Sequence, residues 1–390
     1  MAAESEGHGS MVAAVSGSDR ELPRSPSARP AISARELEPD AAARAAEEAA
    51  RAATRAAADA TRSTGPPREP TARAVAEAAR DAARVAMDAA QEARTAADET
   101  TAVAARAAKS PTPEADAAAR RAADITRAAA ERAREAAEEA SDRPEDPVAP
   151  KEASGGLFQG LRRGSRAQAA FEQGKALYET RDYSGARARL ANAVSLDPDH
   201  DDARALLGWS EYFLGHHRAA IIVFKTTLRR QPMWEGLYDG LGWSRLRLGR
   251  LHLAGQAFLS ALYRNPSYVD ALIGLGIARF ELGRYDEALG PLGSALERLE
   301  RQAADTSPEL PAVRVKVAWS LYYVGRYHEA LGMFEKAIQA RPDWYGLYNG
   351  VGWVHLNLGQ KTEARAAFEK ALTLRPGYAD ALEGLKRTSG

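Results

Sequence analysis

The sequence predicts an all-α chain: a solenoid of about six helix-turn-helix repeats, preceded by a disordered tail and an alanine-rich helical arm. Three observations carry this. A 34-residue pattern, clearest from Tyr345 to Tyr378, recurs upstream, and a fixed period in this range is the mark of stacked helical pairs. All six Trp, thirteen Tyr and eight Phe lie after residue 150, so the large core side chains are confined to the C-terminal part. Alanine fills 44 of the 100 positions from 41 to 140, with 16 basic and 17 acidic residues interleaved.

Each repeat reads as two short helices. In the last one Gly359 punctuates the middle and Pro376 ends the second helix. The units align without internal gaps at 167–200, 201–234, 235–268, 269–302, 311–344 and 345–378. Position 8 holds Gly174, Gly208, Gly242, Gly276, Ala318 and Gly352, and a small residue there lets the paired helices approach. Position 20 is always Ala, from Ala186 to Ala364, for the same reason on the facing helix. Position 24 holds Leu190, Phe224, Phe258, Leu292, Phe334 and Phe368, read as the large knob between pairs. Position 32 is Pro in every unit but the fourth, which has Glu300 and eight extra residues before the fifth unit. Its second helix should run long until Pro308 and Pro311 stop it. Units 2 and 3 nearly repeat in units 5 and 6 at an offset of 110, which predicts a duplicated three-repeat module joined at about 297–310. Ala379 to Lys386 reads as a truncated helix that caps the stack, and residues 166–390 as one solenoid with a continuous core.

The arm is different in kind. Residues 1–40 mix Ser, Pro, Arg and Glu without period and should be disordered. Helices are expected at about 40–62, 71–109 and 113–141, since Ala is the strongest helix former. Breaks fall at Gly65-Pro66-Pro67 and Ser110-Pro111-Thr112-Pro113. Almost no side chain there exceeds a methyl, and no strict 7- or 11-residue frame is visible. The first reading is therefore a fluctuating helical spacer; an alanine-seam coiled coil and a membrane-surface helix are the alternatives. Residues 142–165 read as a Pro- then Gly-rich linker, in which Leu157, Phe158 and Leu161 form a staple onto the first repeat or a short docking motif.

With Gly352, Gly359, Ala364, Phe368, Ala371 and Pro376 in place, the region from about Ala167 onward resembles the tetratricopeptide repeat. The resemblance implies a right-handed superhelix whose first helices line a concave groove for a partner peptide. It also implies that positions 2, 5, 6, 9, 12 and 13 face that groove. Those positions supply the candidate site: Lys175, Trp209, Trp243, Trp319 and Trp353; Tyr178, Tyr212, Phe280 and Tyr322; Phe213 and Tyr323; and the polar Asp239, Arg247, Lys316 and Asn349. Gly236, Gly240, Gly346 and Gly350 would leave bare patches for a ligand backbone. The tryptophans have two readings, ligand-facing surface or core. The Lys and Asn clamp by which chaperone-binding members hold a terminal carboxylate is absent.

The expected function is a non-catalytic protein–protein interaction scaffold. A carbohydrate- or envelope-polymer-binding module and a self-assembling scaffold are the alternatives. Lys plus Arg equals Asp plus Glu at 53 each, which gives no prior for nucleic acid. There is no Cys, so disulfide and thiolate chemistry are excluded. His216-His217 reads as a solvated pair rather than a metal site. GLYDGLGW and GLYNGVGW follow no strand and are not phosphate loops. No cofactor is expected. The opening residues predict no signal peptide and no run of 18 apolar residues occurs, so a cytoplasmic protein without a membrane span is the default.

Overall fold

A computed structural model of the chain describes residues 70–109, 113–141, 157–302 and 309–389, with scattered helical positions between 44 and 55. Among the described residues every regular element is an α-helix. The predictions for residues 1–40, for the break at Gly65-Pro66-Pro67 and for linker residues 142–156 lie outside the described residues. Where one continuous core was expected, the chain parts into two compact units: one runs to Arg264 and the other starts at Asn265.

The N-terminal unit opens with α1 (Pro70–Lys109) and α2 (Pro113–Ser141). Pro113 sits at the first helical position, where its missing N–H costs nothing. The two helices run antiparallel. Thr100 and Thr126 share a buried hydroxyl hydrogen bond of 2.8 Å, and Arg132 donates to Glu92 at 3.1 Å. Ala86, Ala90, Ala93, Ala97 and Thr100 of α1 are buried, as are Thr126, Ala129, Ala133 and Ala136 of α2. Spacings of four and three residues alternate along both rows, the period of a helix–helix seam. This corrects the expectation of a spacer with little means of packing and no seven-residue frame. Methyl side chains let two helices come close over many turns, so a small gain per residue accumulates.

The repeats follow. Helix α3 (Leu157–Glu179) begins inside the predicted linker, although the side chains of Leu157, Phe158 and Leu161 lie outside the described residues. It pairs with α4 (Tyr183–Leu196), whose N-cap Asp182 accepts the Gly185 N–H at 2.9 Å. Then come α5 (Asp201–Phe213) with α6 (His217–Leu228), and α7 (Glu235–Arg247) with α8 (Leu251–Arg264). The C-terminal unit contains α9 (Val269–Glu281), α10 (Tyr285–Gln302), α11 (Leu310–Tyr323), α12 (Tyr327–Ala340), α13 (Tyr345–Asn357), α14 (Lys361–Leu374) and α15 (Ala379–Thr388). Helix α10 is long, as its missing proline predicts: 18 residues against 12–14 in the other second helices. It packs on α11, so the insert does not separate two bodies. The boundary between the two units falls at Arg264–Asn265 rather than within 297–310, which leaves three full pairs in each unit.

Within a pair the turn is set by one left-handed residue. Gly215, Gly249, Gly283, Gly325 and Gly359 have φ between 75° and 84°, which only Gly adopts without cost. After α5 the His216 N–H reaches back to the Glu211 carbonyl at 2.9 Å, closing the helix end. The first pair puts Arg181 at the same place, at φ 63°.

The packing follows from positions 8 and 24. A Cβ on Gly208 would lie 2.7 Å from the Phe224 ring, and one on Gly242 2.7 Å from Phe258. The ring needs the bare glycine of its own pair. It then reaches forward onto the next pair, where Gly240 lies against Phe224 and Gly350 against Phe334. Those two glycines are thus filled by phenylalanine, and the expected bare patch for a ligand backbone is corrected at both.

Asp270, in the first turn of α9, is placed unfavourably. Burial first, and the Glu309 carboxylate second, push its carboxyl up to about 6. The folded value lies above the unfolded one, so this group's stabilising contribution is present below about pH 4 and is lost as the pH rises through 6. Asp270→Asn should therefore stabilise the C-terminal unit at pH 7.5 by on the order of 1–3 kcal/mol and do little at pH 4. Urea unfolding at the two pH values measures this, and equal stability of the two proteins at pH 7.5 would count against it.

Candidate functional site

Eight of the ten aromatic candidates collect into one knot per unit, while Trp243 and Trp353 pair with Phe258 and Phe368 instead. In the N-terminal unit Trp209, Tyr212 and Phe213 lie on the last turns of α5, beside Tyr178 of α3 and Tyr183 of α4. Tyr183 stacks on Phe213 with ring centres 4.5 Å apart and planes 15° apart, and Tyr178 meets both edges. In the C-terminal unit Phe280, Tyr285, Trp319, Tyr322 and Tyr323 repeat the arrangement. Tyr285 stacks on Tyr323 at 4.2 Å and 17°. Offset or parallel rings at these distances gain energy beyond area burial.

The tryptophans are core. Trp209, Trp243, Trp319 and Trp353 are 0–3% exposed. Each indole meets the position-24 ring of its own pair edge to face, at 5.1–5.4 Å. The ligand-facing reading of these four residues is corrected. Position 9 faces the second helix of its own pair, so each indole is closed off by the position-24 ring there. The Trp353 indole N–H donates to Asp380 of α15 at 3.0 Å, and Asn349, also buried, donates to the same carboxylate at 2.8 Å. Asn349 therefore fastens the cap helix. Asp239 is buried too, and so are Tyr178, Tyr212, Tyr322 and Phe280.

What stays accessible is a smaller set. Phe213, Tyr323, Arg247 and Lys316 are half-buried and Lys175 is partly exposed near Glu179. Lys316 donates to Glu281 at 3.0 Å while its ammonium sits 4.3 Å from the Phe280 ring centre, a cation–π contact. Burial pushes the Tyr212 phenol up to about 12, with Asp239 adding to it. Burial likewise holds Tyr322 at about 12, although it accepts from Asn357 at 2.9 Å. Tyr178 lies well above the usual phenol value for the same reason, and its hydroxyl is buried without a hydrogen-bond partner among the described residues. All three phenols stay neutral near pH 7.

The histidine pair is not simply solvated. His216 contacts Glu211 at 2.7 Å, and Arg187 donates to the other oxygen of that buried carboxylate at 2.6 Å. His217 lies against Tyr212 at 5.3 Å, and burial, then Arg247 and His216, lower it to about 4. Among the described residues no group of three metal-ligating side chains converges, and no helix is long and apolar enough to cross a membrane.

A second cluster was not foreseen. Glu139 of α2 is buried among three cations of the repeats. Arg245 donates to both its oxygens at 2.9 Å, Lys225 to one at 3.1 Å, and Arg250 lies 3.8 Å away. Burial alone would raise its pKa, but Arg245, Lys225 and Arg250 together hold it well below the usual carboxylate range. One turn earlier Glu135 accepts the backbone N–H groups of His252 and Leu253, each at 3.0 Å, at the start of α8. The sequence carried one signal: position 11, usually bulky in this repeat, is Glu211 in the second unit and Arg245 in the third.

Two tetratricopeptide-repeat family models match, one over residues 267–343 and the other over 171–233 and 316–379. No curated protein matches. Similar solved structures include an APC/C hetero-tetramer, Cut9-Hcn1, at 19% identity and a TM-score of 0.48, over 60% of this chain and 45% of that one. The chain thus spans less than half of that relative's length. PilF of Pseudomonas aeruginosa is similar at 18% identity and 0.48, over 57% and 97%. So is YrrB, described as a tetratricopeptide-repeat protein with an unusual peptide-binding site, at 18% and 0.45, over 50% and 97%. The 34-residue period, the left-handed glycine turns, the position-8 and position-24 packing and the family matches agree: the chain is a tetratricopeptide-repeat protein.

Proposed function

We propose that the chain is a non-catalytic interaction scaffold that binds peptide segments of a partner protein at the aromatic knots. The observation that supports this most is the repetition of one half-buried stacked pair, Tyr183 on Phe213 and Tyr285 on Tyr323, in the two units. Rigid rings that keep an open face lose little rotamer entropy on binding and are what recognition sites favour. A cation stands by each knot: Arg247 near Tyr212 and His217, and Lys316 over Phe280. The ligand that fits is an extended peptide with an aromatic or proline side chain for the stack and a carboxylate for the cation. YrrB, whose description names a peptide-binding site, is an analogy for this reading and not its support.

The test uses the full chain. Peptides are selected from a random displayed library, and their affinities are measured for the wild type, Phe213→Ala, Tyr323→Ala, Arg247→Ala and Lys316→Ala. Loss of a stacked ring should weaken binding about tenfold or more, and loss of the nearby cation should weaken acidic peptides selectively. Selected peptides whose affinity is unchanged in all four variants would refute this site.

A further inference from the structure

The outer helices of the N-terminal unit carry a second recognition site, already filled. Helix α2 rests on α8, and α1 on α6. Both α6 and α8 are second helices of their pairs, whereas the knots are built largely on first helices. The contact is poor in apolar surface: its buried cluster holds Ala86, Ala136, Ala137 and a single large residue, Leu253. Methyl groups bring little energy and little orientation, so carboxylates decide where this helix sits.

Two carboxylates four residues apart do so. Glu139 enters the socket of Arg245, Lys225 and Arg250, where Arg245 grips it bidentately. Glu135 takes the role of an N-cap for α8, accepting two free N–H groups at the helix's positive end. The His252 ring lies between Glu135 at 3.1 Å and Glu131 at 3.9 Å. A helix that presents two glutamates one turn apart, with small residues around them, satisfies this surface. A helix without a glutamate at this place leaves Arg245 and Lys225 without their shared carboxylate.

We propose that this face of the second and third repeats is a docking site for an acidic, small-residue helix. Helix α2 fills it in cis as a latch, and a helix of the same pattern can replace it. The latch is separate from the aromatic knots and does not depend on what they bind.

The experiment uses the full chain and the variant Glu135→Gln/Glu139→Gln, which keeps the shape and removes the charges. A labelled peptide of residues 113–141 is titrated onto both. The chain's own arm competes at an effective concentration of about millimolar, so the wild type should not take up the peptide. In the variant the socket loses its resident charges, the arm's docking equilibrium falls roughly a hundredfold or more, and the peptide binds. Binding to both proteins alike, or to neither, overturns the proposal. Because the chain has no Cys, spin labels at Met87→Cys and Gln256→Cys give an independent reading. A narrow distance distribution in the wild type should broaden when the two glutamates are replaced. A distribution that is broad from the start, or unchanged in the variant, overturns it as well.

Discussion

Trp319→Ala should destabilise the protein by about 3–5 kcal/mol, the usual cost of emptying a buried indole site. The residue is 1% exposed and touches Phe334, Tyr322 and Tyr323, with ring centres at 5.3, 5.4 and 6.0 Å. None of these rings can follow into the gap, because Phe334 is already seated against Gly350 and Tyr323 is stacked on Tyr285. For a unit of this size that corresponds to a fall of about 10–20 °C in its melting temperature. Trp319→Phe, which keeps an aromatic ring in the site, should recover part of the loss. Differential scanning calorimetry of the full chain decides it. A loss below about 1 kcal/mol, with peptide binding abolished, would instead make the indole a ligand-facing group.

Arg245→Met is the second large effect, and it has a ceiling. Breaking a buried ion pair by removing one partner costs about 3–5 kcal/mol, because the remaining charge stays buried and uncompensated. Here Glu139 loses its bidentate partner but keeps Lys225 at 3.1 Å and Arg250 at 3.8 Å, and it also has an escape. Glu139 sits on an arm held by few apolar contacts, so α2 can leave and return the carboxylate to water. The measured cost therefore cannot exceed the docking free energy of the arm. The expected result is an early, low-enthalpy transition, with loss of helical circular dichroism from the 40 residues of α1 and the 29 of α2, while the main transition stays in place. A single transition shifted as a whole would show instead that the arm and the repeats unfold as one body.

The repeat frame was legible because its markers do one job each. Gly359 must turn left-handed, Gly352 must yield to Phe368, and proline must end a helix, so identity and position define the geometry. The candidate site was legible only in part. Position 9 is Trp in four of the six units, but the direction of an indole depends on the position-24 ring that the facing helix presents to it. That is a property of two helices and not of one. Phe213 and Tyr323 kept an open face, while Trp209 and Trp319, four residues earlier, did not. The arm was the least legible part. Its seam residues, Ala86 to Ala97 and Ala129 to Ala136, are the amino acid that fills 44 of the 100 positions from 41 to 140, so no large apolar residue marks the buried face. Glu135 and Glu139 looked like any other solvated pair on a charged helix. Nothing local distinguishes a glutamate that meets water from one that meets Arg245.

The edge-on pairing of indole and phenyl rings also has an optical consequence. Each unit holds two buried indoles, Trp209 and Trp243 in one and Trp319 and Trp353 in the other. Each also holds one half-exposed indole at a pair junction, Trp234 and Trp344 respectively. Indole emission moves to longer wavelength as solvent dipoles gain access to the ring. The folded chain therefore carries a built-in two-colour label, blue from four interior fluorophores and redder from two at the junctions. A soluble quencher will extinguish the junction pair first, and the spectral shift on opening of either unit reads the same two-to-one change. The tryptophans that do not face a ligand thus make the chain's own emission a gauge of how much of each unit remains closed.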